Sequence, residues 1–253
     1  PRTTPVVENG RVYALGGMGH FFCLDTSTGK PLWARDLPRD FSTKPPVWGY
    51  SAHPLLVGNL LYTLVGGEGS AVVAFDKTTG EEKGKALNAE EVGYAPPILM
   101  QVAGKPQLIA WLSETINGLD PITGQVLWTH KYPADGKVDR PAVSICMPRI
   151  IGPDKLFITT VYHGPLLLQL TQNSPNVVWQ VEGSMKKLPQ GLCALMATPA
   201  HVQGYLYGID MNGRLICCDA STGEQKWQTF EPLLDDKTRA SNKPVRNIDC
   251  GNA

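Results

Sequence analysis

The sequence has no apolar run approaching the roughly 18 residues that a bilayer-spanning helix needs, no block of like charge, and few charges of either sign. Only 18% of residues are charged, and 23 basic residues balance 23 acidic ones to a net charge of zero. A chain without a basic stripe has no electrostatic means of capturing nucleic acid or an anionic membrane. The context of a phosphate loop is missing as well: "GGMG" at 16–19 and "GGEG" at 66–69 precede no helix and lack the Lys and Thr of such a loop. No Gly-x-Ser-x-Gly nucleophile turn occurs. The six cysteines, Cys23, Cys146, Cys193, Cys217, Cys218 and Cys250, form no Cys-x-x-Cys pair and stand beside no His at ligand spacing. His20, His53, His130, His163 and His201 are scattered in the same way, so no metal site is expected. The opening "PRTTPVVENG" has neither a charged nor an apolar leader region, so no signal peptide is expected in this chain. A start without Met suits a processed chain or a piece of a longer one.

What the sequence does have is turn formers, 26 Gly and 21 Pro, a mixture that breaks helices and predicts many short strands. It also has a repeat. "CLDTSTGKPLW" at 23–33 returns as "AFDKTTGEEKG" at 74–84, "GLDPITGQVLW" at 118–128, a worn "QLTQNSPNVVW" at 169–179 and "CCDASTGEQKW" at 217–227. The leading position runs Asp25, Asp76, Asp120, Thr171 and Asp219, a period of roughly fifty residues in the range of propellers and other arrays. A second pattern keeps step with it: a Pro opens an apolar segment, a tight turn such as Asn9-Gly10, Gly58-Asn59 or Gln203-Gly204 follows, and a second apolar segment closes it. Each unit therefore reads as four antiparallel strands, A to D. Such a sheet cannot bury both faces alone, so successive units must stack face to face as propeller blades.

This reading gives the repeated motif a structural task. The Asp ends strand C and its carboxylate accepts backbone N–H groups of the turn, the Gly (Gly29, Gly80, Gly124, Gly223) takes a positive φ, and the Trp (Trp33, Trp128, Trp179, Trp227) covers the neighbouring blade with its indole N–H on a carbonyl. Cys23 and Cys217 hold equivalent places, as small apolar fillers. The pattern Ala/Cys-x-Asp-x-x-x-Gly-Lys/Glu-x-x-Trp resembles the tryptophan-docking motif of the PQQ-like, quinoprotein-type β-propellers, over residues 3 to 231. Gly84 stands where Trp is expected, Gln125 replaces Lys or Glu, and the fourth copy keeps only Trp179, so these joints are expected to be looser.

The expected architecture is all-β: one propeller domain over 1–253 with blades near 3–36, 52–87, 95–132, 146–182 and 197–231, and 232–253 a tail or a linker toward a further blade. Five units, no visible closing strand and a polar tail suggest an open arc whose missing blades belong to a parent chain; a closed five-bladed ring is the alternative. Strand B-to-C and D-to-A connections emerge on one face, and the D-to-A loops are long, which makes that face the candidate for binding. It carries Trp48, Tyr50, His53, Tyr94, Arg140, Lys186 and Lys187 from one loop set and Met18, His20, Glu68 and His163 from the other. An aromatic, mixed-charge rim suits a protein partner; the alternative for Trp48, Tyr50 and Tyr94 is packing at the seams between blades.

The resemblance implies two further readings. Its enzymatic members bind PQQ with calcium, a carboxylate base and, in many, a disulfide between adjacent cysteines, and Cys217-Cys218 invites that comparison. These two lie in strand C, where neighbours point to opposite faces, so two unpaired thiols are expected. "DMNGR" at 210–214 holds only half of a calcium loop and reads as a B-to-C turn with Asn212-Gly213 at its tip. The favoured expectation is a non-catalytic, cofactor-free scaffold for protein partners like the periplasmic BamB-type members. A PQQ- and calcium-dependent dehydrogenase and an accessory or sensor propeller of a larger protein are the alternatives.

Overall fold

The computed structural model describes residues 3–138, 140–183 and 191–231. They form five four-stranded antiparallel sheets, each built from consecutive strands in simple meander order. The first comprises β1 (Val6–Glu8), β2 (Arg11–Leu15), β3 (His20–Asp25) and β4 (Pro31–Asp36). The second comprises β5 (Leu55–Val57), β6 (Leu60–Leu64), β7 (Val72–Asp76) and β8 (Glu82–Ala86), and the third β9 (Ile98–Val102), β10 (Lys105–Trp111), β11 (Thr115–Leu119) and β12 (Val126–Lys131). The fourth holds β13 (Arg149–Gly152), β14 (Lys155–Thr160), β15 (Gly164–Leu170) and β16 (Pro175–Gln180), and the fifth β17 (Ala200–Val202), β18 (Tyr205–Ile209), β19 (Leu215–Asp219) and β20 (Gln225–Thr229). One short helix, α1 (Leu37–Asp40), follows β4; Asp36 caps it by accepting the Arg39 N–H at 3.3 Å. The contacts divide the chain into two compact units. One holds the first three sheets with the turn Thr171–Pro175, and the other holds the rest of the fourth sheet and the fifth.

Period-two alternation explains how the second sheet is buried on both faces. From β6 and β7, Leu61, Val73 and Phe75 pack with Tyr13, Phe21 and Cys23 of the first sheet. The intervening Tyr62, Leu64, Val72 and Ala74 pack with Leu108, Ala110 and Leu119 of the third. In the other unit Phe157 and Leu167 meet Leu206, Ile216 and Cys218 in the same manner.

The repeated motif is the joint between sheets. Asp25 Oδ1 accepts the Ser27 and Thr28 N–H groups at 3.1 and 2.8 Å, Asp76 those of Thr78 and Thr79, Asp120 those of Ile122 and Thr123, and Asp219 those of Ser221 and Thr222. In the worn copy Thr171 Oγ1 accepts the Ser174 N–H at 3.0 Å. Gly29, Gly80, Gly124 and Gly223 close the turns with φ between 68° and 76°. In four sheets the C–D pairing then slips by one residue. Cys23 faces Trp33 while Leu24 faces Pro31, and the same step occurs at Ala74/Phe75, Gly118/Leu119 and Cys217/Cys218. The extra residue is a bulge that re-aims the following side chain, which accounts for the fixed spacing between Gly and Trp.

The tryptophan docks on the following sheet's turn. Trp33 Nε1 donates to Lys77 O at 3.1 Å, and a Cβ on Gly80 would lie 2.7 Å from its ring. Trp179 Nε1 donates to Ala220 O at 3.1 Å, with Gly223 beneath its ring at the same distance. The glycine is thus both the left-handed residue of its own turn and the floor for the preceding tryptophan. Trp128 departs from this pattern. The turn that would receive it has Pro175 where Gly stands elsewhere, and its ring lies instead over Gly118 of its own sheet. Its Nε1 donates to Gln107 Oε1 at 2.8 Å, and Gln107 Nε2 donates onward to Gln172 O and Thr171 O at 3.1 and 3.3 Å. The expected indole-to-carbonyl bond is therefore corrected at this joint to a buried amide relay.

These carboxylates make acid stability a test of the turns. The Ser27 and Thr28 hydroxyls, then the Thr28 N–H, hold Asp25 down from 3.8 to about 2; Asp76, Asp120 and Asp219 are lowered in the same direction by backbone or serine donors. A carboxylate depressed on folding contributes stability above its unfolded value and loses it as pH falls toward the folded one. Unfolding midpoints should therefore decline as pH drops from about 4 to about 2. Asp25→Asn, which keeps an oxygen acceptor without titrating, should flatten that decline; an unchanged slope would show that the turn carboxylate does not contribute to it.

Candidate functional site

The B-to-C and D-to-A connections position the candidate binding face. Tyr50 N donates to Gly17 O at 2.8 Å, and Gly49, with φ 75°, passes so close to Gly17 that a Cβ would lie 2.6 Å from that same oxygen. This contact clamps the long loop after β4 against the β2–β3 link. On the two segments so joined, Met18, Val47 and Trp48 are 64, 69 and 40% exposed. Sequence reasoning named Met18 and Trp48 and missed Val47, whose only signal is an apolar residue after two prolines.

Two of the expected rim aromatics are interior. Tyr50 is buried and its hydroxyl donates to Val65 O at 2.8 Å; burial, with the Asp36 charge, pushes it up to about 12. Tyr94 is buried too, its hydroxyl accepts the Trp48 N–H at 3.3 Å, and its ring centre lies 5.4 Å from that of Trp48. They brace the loop from beneath while Trp48 faces solvent. His53 is half-buried, and desolvation lowers its pKa.

Arg140 is brought together with three carboxylates, Glu90 at 2.7 Å, Glu114 at 2.6 Å and Glu91 at 3.7 Å, and Glu91 also accepts the Ala142 N–H at 2.6 Å. Its charge is spent within the loop face, holding the β8–β9 and β12–β13 connections to the β10–β11 turn. In the other unit the half-buried His163 adjoins Gly164, and a Cβ on that glycine would lie 1.9 Å from Val181 O. Lys186 and Lys187 lie outside the described residues, as do residues 232–253 with Cys250.

Asp210 accepts the Asn212 and Arg214 N–H groups at 2.9 Å, and its Oδ2 binds the buried Arg214 guanidinium at 2.6 and 2.8 Å. Arg214 also donates to Gln228 Oε1 at 2.6 Å. Cys217 and Cys218 are free thiols in β19. Burial raises Cys146 and Cys193 to about 12 and Cys218 to about 11, far from the thiolate state that reactivity requires. Among the described residues no three His, Cys, Asp or Glu side chains are grouped to hold a metal ion.

Five four-stranded antiparallel sheets in meander order, with an indole seated on the following sheet's glycine at two joints, Trp33 on Gly80 and Trp179 on Gly223, are the blades of a β-propeller of the PQQ-like repeat class. Residues 1–229 match the family described as outer membrane protein assembly factor BamB, and the chain belongs to that family. A curated relative, the outer membrane protein assembly factor BamB of Moranella endobia (strain PCIT), is 28% identical over 233 residues, covering 88% of this chain and 56% of its own length. The chain thus spans about half the length of that relative. Among solved structures, BamB from Moraxella catarrhalis matches 90% of this chain and 64% of its own at TM-score 0.65 and 14% identity. The computationally designed Ika8 protein matches 90% of this chain and 61% of its own at TM-score 0.56 and 14% identity. At these identities the structural likeness speaks to the fold.

Proposed function

We propose that this chain is a non-catalytic propeller scaffold, working outside the cytoplasm in the periplasm without a cofactor, whose loop face binds protein partners in outer-membrane-protein assembly. The observation that carries the reading is the exposure of Met18, Val47 and Trp48 on two loops that the Tyr50–Gly17 bond holds together. Exposed apolar side chains fixed by a buried second layer are what an interface anchor requires, since a pre-ordered aromatic loses little entropy on binding. Family membership supplies the assembly process, and the carboxylates around Arg140 give the same face a polar rim.

The test is complementation in a bacterium lacking its BamB. The full-length parent should restore outer-membrane-protein levels. The pair Met18→Asp and Trp48→Ala should lose at least about tenfold in partner affinity, the scale of one removed hot spot, and Thr78→Ala on the turn side should lose none. Equal performance of the double variant and the wild type would overturn the loop-face assignment. Saturable, chelator-sensitive binding of PQQ to the parent would replace the scaffold with the dehydrogenase reading.

A further inference from the structure

One joint has its glycine floor but no ring. Trp33 fills the space over Gly80 and Trp179 the space over Gly223, whereas a Cβ on Gly124 would meet nothing within 4 Å. The residue that should supply the ring is Gly84, which faces Ala74 across the C–D pair as Trp33 faces Cys23; its own Cβ position is open too. Between the two glycines lies a notch of about 280 Å³ lined by Tyr62, Ala74, Lys83, Gly84, Ile122 and Gly124, among others. That is near the lower end of ligand sites, roughly 300 to 1,000 Å³, and suits a ring system.

The hydrogen bond of the missing tryptophan has been replaced, while its volume has not. At the filled joints the acceptor is the carbonyl of the residue after the Asp, Lys77 or Ala220. At the empty one the corresponding Pro121 O accepts from the Tyr62 hydroxyl at 2.9 Å. Tyr13, the counterpart of Tyr62 in the first sheet, faces Cys23 as Tyr62 faces Ala74, and its hydroxyl finds no partner where Trp33 holds the acceptor. With the Pro121 carbonyl satisfied, the notch is a half-open slot with glycine backbone at its floor, Leu60, Ala74 and Ile122 among its apolar walls, and Asn59, Asp76, Thr123 and the Lys83 stem at its polar side.

We propose that this notch binds an aromatic side chain, an indole above all, presented by a partner polypeptide. The inference rests on the scaffold reading only for the source of the ring. The slot's shape and its sister joints stand apart from the loop face, so either site can fail without the other.

Fluorine NMR of 5-fluoroindole with the full-length parent tests the slot. Binding should saturate with a midpoint on the order of 1 mM, as expected for a ligand of this size. Gly84→Trp, which fills the slot with the chain's own ring, should weaken binding by at least roughly tenfold and raise the melting temperature. Gly84→Ala should bind within about twofold of wild type, which guards against a folding artefact in the larger substitution. A capped Gly-Ser-Trp-Ser-Gly peptide should displace the probe, and its Ala counterpart should not. Absence of binding, or equal binding by wild type and Gly84→Trp, overturns the site. Probe binding that the Trp peptide cannot displace overturns the polypeptide source, and self-association abolished by Gly84→Trp would assign the slot to a second copy.

Discussion

Alanine at Gly80 should cost about 3 kcal/mol of stability, against about 1 kcal/mol at Gly29 or Gly124. All three glycines have φ between 68° and 74°, so each alanine incurs the same left-handed backbone penalty, about 1 kcal/mol. Only at Gly80 does the new methyl meet a ring, 2.7 Å from Trp33 Cδ2. Displacing that ring re-exposes a half-buried indole and breaks its bond to Lys77 O, which together add about 2 kcal/mol. Gly223 under Trp179 belongs with Gly80, and Gly124 behaves as Gly29 because its slot is empty. Thermal unfolding of Gly29→Ala, Gly80→Ala and Gly124→Ala decides the matter: three equal shifts would mean that the glycines serve their own turns alone. Trp33→Ala combined with Gly80→Ala should add less than the two singles, because both remove one contact.

Asp210→Ala should cost about 3–5 kcal/mol, the range for leaving a buried ion without its partner. Asp210 and Arg214 side chains are 0 and 4% exposed, and the same carboxylate anchors the turn through two N–H groups. Arg214→Ala should cost a similar amount, and the double variant should be milder than the sum, since removing both ions leaves no unpaired charge. Urea unfolding of the three variants measures this; a shift below about 1 kcal/mol for Asp210→Ala would mean that water reaches the pair. Sequence reasoning read this stretch as a B-to-C turn holding only half of a calcium loop, and the structure places it between β18 and β19 with its carboxylate committed to an arginine four residues on.

The strand pattern was readable because it is set by neighbours in sequence. Alternation of Leu61, Tyr62, Thr63 and Leu64 dictates two buried faces, and Asp-x-x-x-Gly closes its turn with its own N–H groups. The face that carries the loops was legible for the same reason. Which of its side chains reach solvent was not, because Tyr50 and Tyr94 carry the same sequence signal as Trp48, and burial depends on Val65 and Gly17, distant in sequence. The altered contacts at the degenerate joints were half legible in the sequence. Gly84 marks a missing ring in the sequence, but the Tyr62 hydroxyl that takes its bond and the Gln107 amide that serves Trp128 lie on other strands.

By itself the sequence determined the all-β fold, the fivefold repeat and the turn chemistry, since hydrogen bonds between residues two to five apart need no knowledge of the rest of the chain. Tertiary structure alone decided which tryptophan docks, which glycine is a floor and where a ring is missing. A ring needs a floor about fifty residues further on, and whether a glycine or a proline waits there is a property of the next blade.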